Sequence, residues 1–285
     1  MKIKLTDTST SWVKIVDEDI SKLSDSQLYE VMDLVLNNTL VVFKNQKLHT
    51  DEQTRICNVF GNLQDVLSPD HPREDQRTGN IAVNQNILRV TGKKNSNGEP
   101  GLFGHTNTLD WHANQASNYE RKPIVWLYGV HGTRGSRTSW INNILSYDEL
   151  SPEFKVEIQD LEITLGYKQN SYTPSDFFIE HHSVDKPFKL VHTNDANKTG
   201  LYFPFLQIFG MKDKDQTYFN KTTQRLRYHV LQSQYRYDHD WEDGDIVLSE
   251  QWLGIHKRWE FKNMEDRLLH RITFDYTTYL ENTGN

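Results

Sequence analysis

Apolar residues recur at Leu28, Val31, Met32, Val35 and Leu36, the stripe of a helix that buries one face. Immediately before it stands Ser24-Asp25-Ser26-Gln27, in which a hydroxyl and a glutamine three residues on can satisfy each other's backbone amides at a helix start. The spacing therefore predicts a helix opening at Ser24. It gives way to Thr39-Leu40-Val41-Val42-Phe43, a short, β-branched apolar run that predicts a buried strand. Thr50-Asp51-Glu52-Gln53 repeats the capping pattern, Ile56, Val59 and Phe60 supply a second inner face, and Gly61 ends that helix.

Beyond this point the periodicity shortens. Residues 1–20 already contain strand-like pieces around Trp12, Val13, Ile15 and Val16, and residues 81–90, 123–130, 245–248 and 269–276 read as strands. Residues 190–193 and 201–203 read as a pair joined across Asn194-Asp195-Ala196-Asn197. Two further helices are expected over 146–161, starting near Ser151-Pro152-Glu153 with proline in the first turn, and over 214–234. Residues 65–80, rich in Pro, Asp, Arg and Gly, read as a long loop, and 93–100 as a polar turn around Asn97-Gly98. The pattern is mainly β with flanking helices. No repeat, low-complexity tract or linker divides it, so residues 1–285 are read as a single domain.

Composition narrows the function classes. Only 36% of residues are hydrophobic, but 7 Trp, 13 Tyr and 13 Phe supply bulk for a β-rich core. The net charge is −7 and the isoelectric point about 5.9, without a block of Lys and Arg, which argues against nucleic acid or an anionic membrane as partner. The lone Cys57 excludes an intrachain disulfide and thiolate zinc clusters and fits a reducing, cytoplasmic setting. No N-terminal apolar region and no run of ~20 apolar residues indicates a secretory signal or a membrane span.

The chemistry concentrates in Leu109-Asp110-Trp111-His112-Ala113-Asn114-Gln115. On a strand, alternate side chains leave the same face, so His112 and Asn114 can reach one metal ion. Two histidines and a carboxylate on one face of iron, with open positions opposite, are the ligand set of non-heme iron oxygenases. A distant His256 supplies a second imidazole, and Arg267 and Arg271 follow it four residues apart. Taken alone, His112 beside a tryptophan reads more readily as a satisfied structural histidine than as a metal ligand.

Along most of its length the chain resembles the taurine dioxygenase family of Fe(II)- and 2-oxoglutarate-dependent oxygenases. Thr39-Leu40-Val41-Val42-Phe43-Lys44-Asn45-Gln46 and Phe60-Gly61-Asn62-Leu63 are similar to its opening elements. Trp111-His112-Ala113-Asn114 is similar to its Trp-His-x-Asp motif, Gly135-Ser136-Arg137-Thr138-Ser139-Trp140 to its Gly-Gly-x-Thr-x-Trp segment, and Arg267-Leu268-Leu269-His270-Arg271 to its closing strand. The resemblance implies a double-stranded β-helix, or jelly roll. It also implies His112, position 114 and His256 as iron ligands, and Arg267 with Thr138 as the grip on the C5 carboxylate of 2-oxoglutarate. With O₂ the reaction would yield succinate and CO₂ and hydroxylate an unactivated C–H. The anionic group of a small, amino-acid-like substrate would lie on Arg271, with Thr108, His71, Phe205 and Gln207 lining its pocket. Dimers and tetramers both occur in the family, so a homo-oligomer is an open expectation.

Asn114 departs from the pattern. A neutral amide oxygen lacks the charge that makes metal–carboxylate bonds strong. Three outcomes stay open: Asn114 ligates through oxygen and the enzyme hydroxylates; it vacates the corner for an anion such as chloride, as in related halogenases; or iron is lost and the jelly roll is a non-catalytic binding protein. Asp110, also two residues from His112, is the rescue ligand that strand alternation would offer.

Overall fold

The computed structural model describes residues 4–6, 10–66, 82–96, 98, 101, 103–114, 116, 123–166 and 184–284. In chain order the elements are β1 (Leu5–Thr6), β2 (Lys14–Val16), α1 (Asp25–Asn38), β3 (Leu40–Phe43), α2 (Thr50–Phe60), β4 (Leu88–Val90), β5 (Leu109–His112), β6 (Ile124–His131) and β7 (Arg137–Asn142). They continue with α3 (Asn143–Asp148), α4 (Pro152–Ile158), β8 (Glu162–Leu165), β9 (Val184–Lys189), β10 (Val191–Thr193), β11 (Thr199–Leu201), β12 (Ile208–Met211) and α5 (Gln216–Val230). The chain closes with β13 (Arg236–Asp240), β14 (Ile246–Glu250), β15 (Gly254–Arg258), β16 (Leu268–Phe274) and α6 (Thr277–Thr283).

Two sheets face each other. The larger has the order β1-β2-β3-β14-β6-β16-β4 and the smaller β13-β7-β15-β5. Neighbours in these sheets are distant in sequence, as in a jelly roll. Strand alternation sorts the side chains of the large sheet into two cores. Val125 and Leu127 of β6, Val42 of β3, Val247 of β14 and Leu269 of β16 pack against Trp140 and Trp241 between the sheets. The alternate residues Ile124, Trp126 and Tyr128, with Phe43, Leu248 and Phe274, pack outward against α1, α2 and α6. Behind the small sheet, Ile141 and Ile255 meet α3, α4 and α5. Among the described residues no helix is long and apolar enough to cross a membrane.

The first helix forms as its pattern predicts: the Ser24 side chain accepts from Gln27 N while Gln27 Oε1 accepts from Ser24 N. The second starts one residue earlier than expected, with His49 N donating to Glu52 Oε2 at 2.8 Å. Gly61 closes it for a reason of space rather than of left-handed backbone, since a Cβ there would lie 2.3 Å from the Asp275 carbonyl oxygen. The single helix expected over 146–161 is two. Pro152 holds the preceding Ser151 in extended geometry (ψ 147°), so α3 stops before it and Ser151 caps α4. The expected strand at 81–90 is confined to β4 and an isolated bridge at Ala82, whereas the pairing of β10 with β11 through Val191 and Leu201 is as expected. His71 and most of the 65–80 stretch lie outside the described residues.

Candidate metal and co-substrate site

His112 and His256 are direct cross-strand partners where β5 meets β15. Their ring centroids stand 4.1 Å apart, and Trp140, on the next strand, stacks against His256 at 6.3 Å. His112 Nδ1 lies 2.7 Å from the Asp110 carbonyl oxygen. A carbonyl only accepts, so Nδ1 carries the proton and the Nε2 lone pair is the donor left for a metal. Burial is the main cause that lowers the His112 pKa to about 4 and that of His256 well below its ordinary value; Arg271 lowers both further. Both rings are therefore neutral near pH 7, the form that binds metal.

Two glutamines from elsewhere in the chain hold the turn that bears these residues. Gln207 Oε1 accepts from Ala113 N at 3.0 Å and its Nε2 donates to Ala113 O at 2.8 Å. Gln251 Oε1 accepts from Asn114 N at 2.9 Å. Gln251 sits in the turn between β14 and β15, where both oxygens of the buried Glu250 carboxylate accept backbone amides, from Trp252 and Leu253. The strand that carries His256 and the turn that carries Asn114 are thus tied at one point.

Asn114 is buried, with Nδ2 3.3 Å from His256 Nε2 and Oδ1 3.1 Å from Arg271 Nη1. The Arg271 guanidinium carbon stands 5.6 Å from the centre of the Phe103 ring. Arg267 is 1% exposed, and its Nε and Nη1 have no hydrogen-bond partner among the described residues. Burial pulls its pKa down to about 9, with the neighbouring Arg258 adding to the effect, as for a cation whose desolvation the chain does not offset. Thr138, paired across the sheet with Arg258, accepts from Trp241 Nε1 at 3.0 Å.

Arg258 escaped the sequence reading. Its guanidinium donates to the carbonyls of Phe103, His105 and Asn107 and so fastens the segment before β5 to the histidine strand. Its spacing of two from His256 was the available signal. Gln251 gave none. The other expected pocket residues scatter: Thr108 is exposed ahead of β5, Phe205 packs with Phe203 under the Arg227 guanidinium, and Gln207 spends its amide on Ala113. Asp110 turns away from the site, as a bulge sets two residues of β5, Asp110 and Trp111, against Lys257 of β15; its carboxylate meets Lys257 at 3.3 Å on the outer face.

Residues 4–273 match the family described as "Taurine catabolism dioxygenase TauD, TfdA family". The chain belongs to that family. Members are dioxygenases that use Fe(II), 2-oxoglutarate and O₂, which sets aside the non-catalytic reading. The chain is 20% identical over 270 residues to pentalenolactone F synthase of Streptomyces avermitilis, covering 88% of this chain and 86% of that one. It is 21% identical over 257 residues to the alpha-ketoglutarate-dependent 2,4-dichlorophenoxyacetate dioxygenase of a Burkholderia strain, with the same coverage. The solved structure of AAD-2 with Mn(II) and N-oxalylglycine superposes with a TM-score of 0.78 at 20% identity, covering 97% of this chain and 99% of that one. That likeness establishes the jelly-roll fold.

The residues present fit the family's groups in part. Two neutral imidazoles, that of His112 set by its hydrogen bond to the Asp110 carbonyl, suit Fe(II), and a buried guanidinium suits the distal carboxylate of 2-oxoglutarate. The third ligand does not fit: among the described residues no three His, Cys, Asp or Glu side chains converge on one point.

Proposed function

We propose that this TauD/TfdA-family dioxygenase hydroxylates an unactivated C–H of a small anionic metabolite, consuming 2-oxoglutarate and releasing succinate and CO₂. The observation that carries the anionic substrate is Arg271, whose guanidinium sits one amide away from His256. An anionic group paired with it lies beside the metal corner, and the rest of the molecule is aimed across it. The carboxylate in the name of the 2,4-dichlorophenoxyacetate relative is consistent with that class.

In this reading His112 and His256 hold the iron, which supplies the O₂ chemistry. Arg267 binds the C5 carboxylate of 2-oxoglutarate, assisted by the Thr138 hydroxyl, and no lysine reproduces the planar fork this requires. Gln207 and Gln251 keep the metal-bearing turn in place. The apolar wall of Trp140, Leu269 and Val247 excludes water from the barrel interior.

The test is succinate formation with Fe(II), 2-oxoglutarate and a panel of carboxylates, sulfonates, phosphates and neutral analogues. Arg271→Ala is expected to raise KM for the anionic member that turns over by about 100-fold, the scale of a lost charge-assisted contact. An unchanged KM would remove the anionic-substrate assignment.

A further inference from the structure

Thr138 is buried, and its hydroxyl oxygen accepts from Trp241 Nε1 at 3.0 Å. An indole nitrogen only donates, so the sense of this bond is fixed. A hydroxyl that accepts along one lone pair cannot turn its own proton the same way. Among the described residues that proton meets no acceptor.

The indole that sets this arrangement has little freedom. Trp241 N donates to Ser136 O at 3.0 Å, across the turn that precedes β7. The His239 ring stands 4.7 Å away at 88° to it, and Trp140 tilts against it at 6.4 Å. On a third side lies Gly129, where a Cβ would come within 3.4 Å of Trp241 Cε3. His239 is held in turn, with Nε2 3.0 Å from Asp245 Oδ2 and Nδ1 3.2 Å from the Tyr237 hydroxyl.

This end of β7 lies against the segment that carries Arg267. A Cβ on Gly132 would stand 3.2 Å from Arg267 N. One on Gly135 would stand 3.7 Å from the Phe261 ring, whose centre is 5.7 Å from the Arg267 guanidinium carbon.

Resting on the reading that Arg267 and Thr138 receive the C5 carboxylate of 2-oxoglutarate, we propose that Trp241 is the positioning residue of that grip. Its N–H takes up one side of the Thr138 oxygen, leaves the Thr138 proton for the carboxylate, and polarises the O–H that donates it. Trp241 acts through Thr138 and does not itself touch the co-substrate.

Calorimetric titration of the full-length protein with 2-oxoglutarate, in the presence of Mn(II), tests this. Trp241→Phe keeps an aromatic ring and removes the N–H, and is expected to weaken 2-oxoglutarate about tenfold, the scale of one hydrogen bond. Thr138→Val is expected to weaken it about 30-fold. In that background Trp241→Phe is expected to add nothing, because the indole acts only through the hydroxyl. In Thr138→Ser, which keeps the hydroxyl, Trp241→Phe is expected to retain its effect. A second measurement leaves Trp241 in place: with Zn(II) for Mn(II), the indole N–H resonance of Trp241 in the native protein is expected to shift on adding 2-oxoglutarate. If Trp241→Phe leaves native binding unchanged, or weakens it equally with and without the Thr138 hydroxyl, the indole serves packing alone. The proposal then falls while the carboxylate grip stands, and it falls likewise if the indole resonance ignores bound 2-oxoglutarate. If Thr138→Val binds as the native protein does, the proposal falls together with the assignment of Thr138. If the native protein binds no 2-oxoglutarate, the co-substrate reading itself falls and takes the proposal with it.

Discussion

Asp110 and His112 are separated by a single residue, yet their side chains leave opposite faces of β5. The bulge against β15 adds one residue between Leu109 and His112, which cancels the two-residue alternation. His112 therefore enters the barrel beside His256 while Asp110 meets Lys257 and Arg227 outside it. Asp110→Ala should leave Mn(II) affinity within about twofold of native and cost less than about 1 kcal/mol of stability, since the ion pairs it breaks are exposed. Urea unfolding and a Mn(II) titration check both halves. A large loss of metal affinity would place Asp110 in the site after all.

That bulge marks the limit of what the pattern of residues discloses. The capping box at Ser24, the apolar stripe of α1 and the buried run of β3 depend on neighbours in sequence, and they formed as expected. That His112 and His256 belong together was reached through the resemblance to the family's motifs rather than from spacing alone, and the structure pairs the two across neighbouring strands. Three features were not legible. The bulge is a matter of pairing between distant strands. The strand carrying His256, Gly-Ile-His-Lys-Arg, has no apolar alternation to announce it. Gln207 and Gln251 act on backbone amides about a hundred residues away, and a buried glutamine looks the same in sequence whether it meets a ligand or a peptide group.

The clamp on Ala113 gives a prediction in which stability and metal binding move together. Gln207→Leu fits the volume but leaves the buried Ala113 N–H and carbonyl without that partner, at a cost of about 1–3 kcal/mol. The turn that presents His112 and Asn114 loses its support, so Mn(II) affinity should fall about 10- to 100-fold, the usual consequence of removing a group that orients a metal ligand. Gln207→Glu restores the acceptor for Ala113 N and should recover part of the affinity. Equal metal binding in native protein and Gln207→Leu would reduce Gln207 to a packing role.

Glu250 predicts a pH dependence of stability. Burial, with a smaller push from Asp195, lifts its carboxyl to about 7 against the opposing backbone bonds from Leu253 and Trp252. An unfolded glutamate titrates near 4.3, so between about pH 4 and 7 the native state binds more protons than the unfolded one. Stability from this group is full below that window and is lost as pH rises through it, by at most about 1.4 kcal/mol per pH unit. Urea unfolding at several pH values across the window should show this fall in the native protein and a flatter curve in Glu250→Gln. Parallel curves would mean that the carboxyl stays ionised in the fold.

Arg267 carries the sharpest opposition between folding and function. Its guanidinium is buried, with Nε and Nη1 unpaired among the described residues, and lies beside the charge of Arg258, so in the ligand-free protein its desolvation is poorly offset. Arg267→Met keeps the aliphatic bulk against the Phe261 ring, 5.7 Å from the guanidinium carbon, and removes the charge. The variant should unfold at higher urea than the native protein, by about 1–3 kcal/mol in the absence of ligand. Saturating 2-oxoglutarate should stabilise the native protein in proportion to its affinity and leave the variant unmoved, because the carboxylate has lost its fork. Calorimetric titration with 2-oxoglutarate and Mn(II) reads the second effect directly. A variant that is less stable than native and still binds 2-oxoglutarate would show that the guanidinium serves the fold rather than the co-substrate.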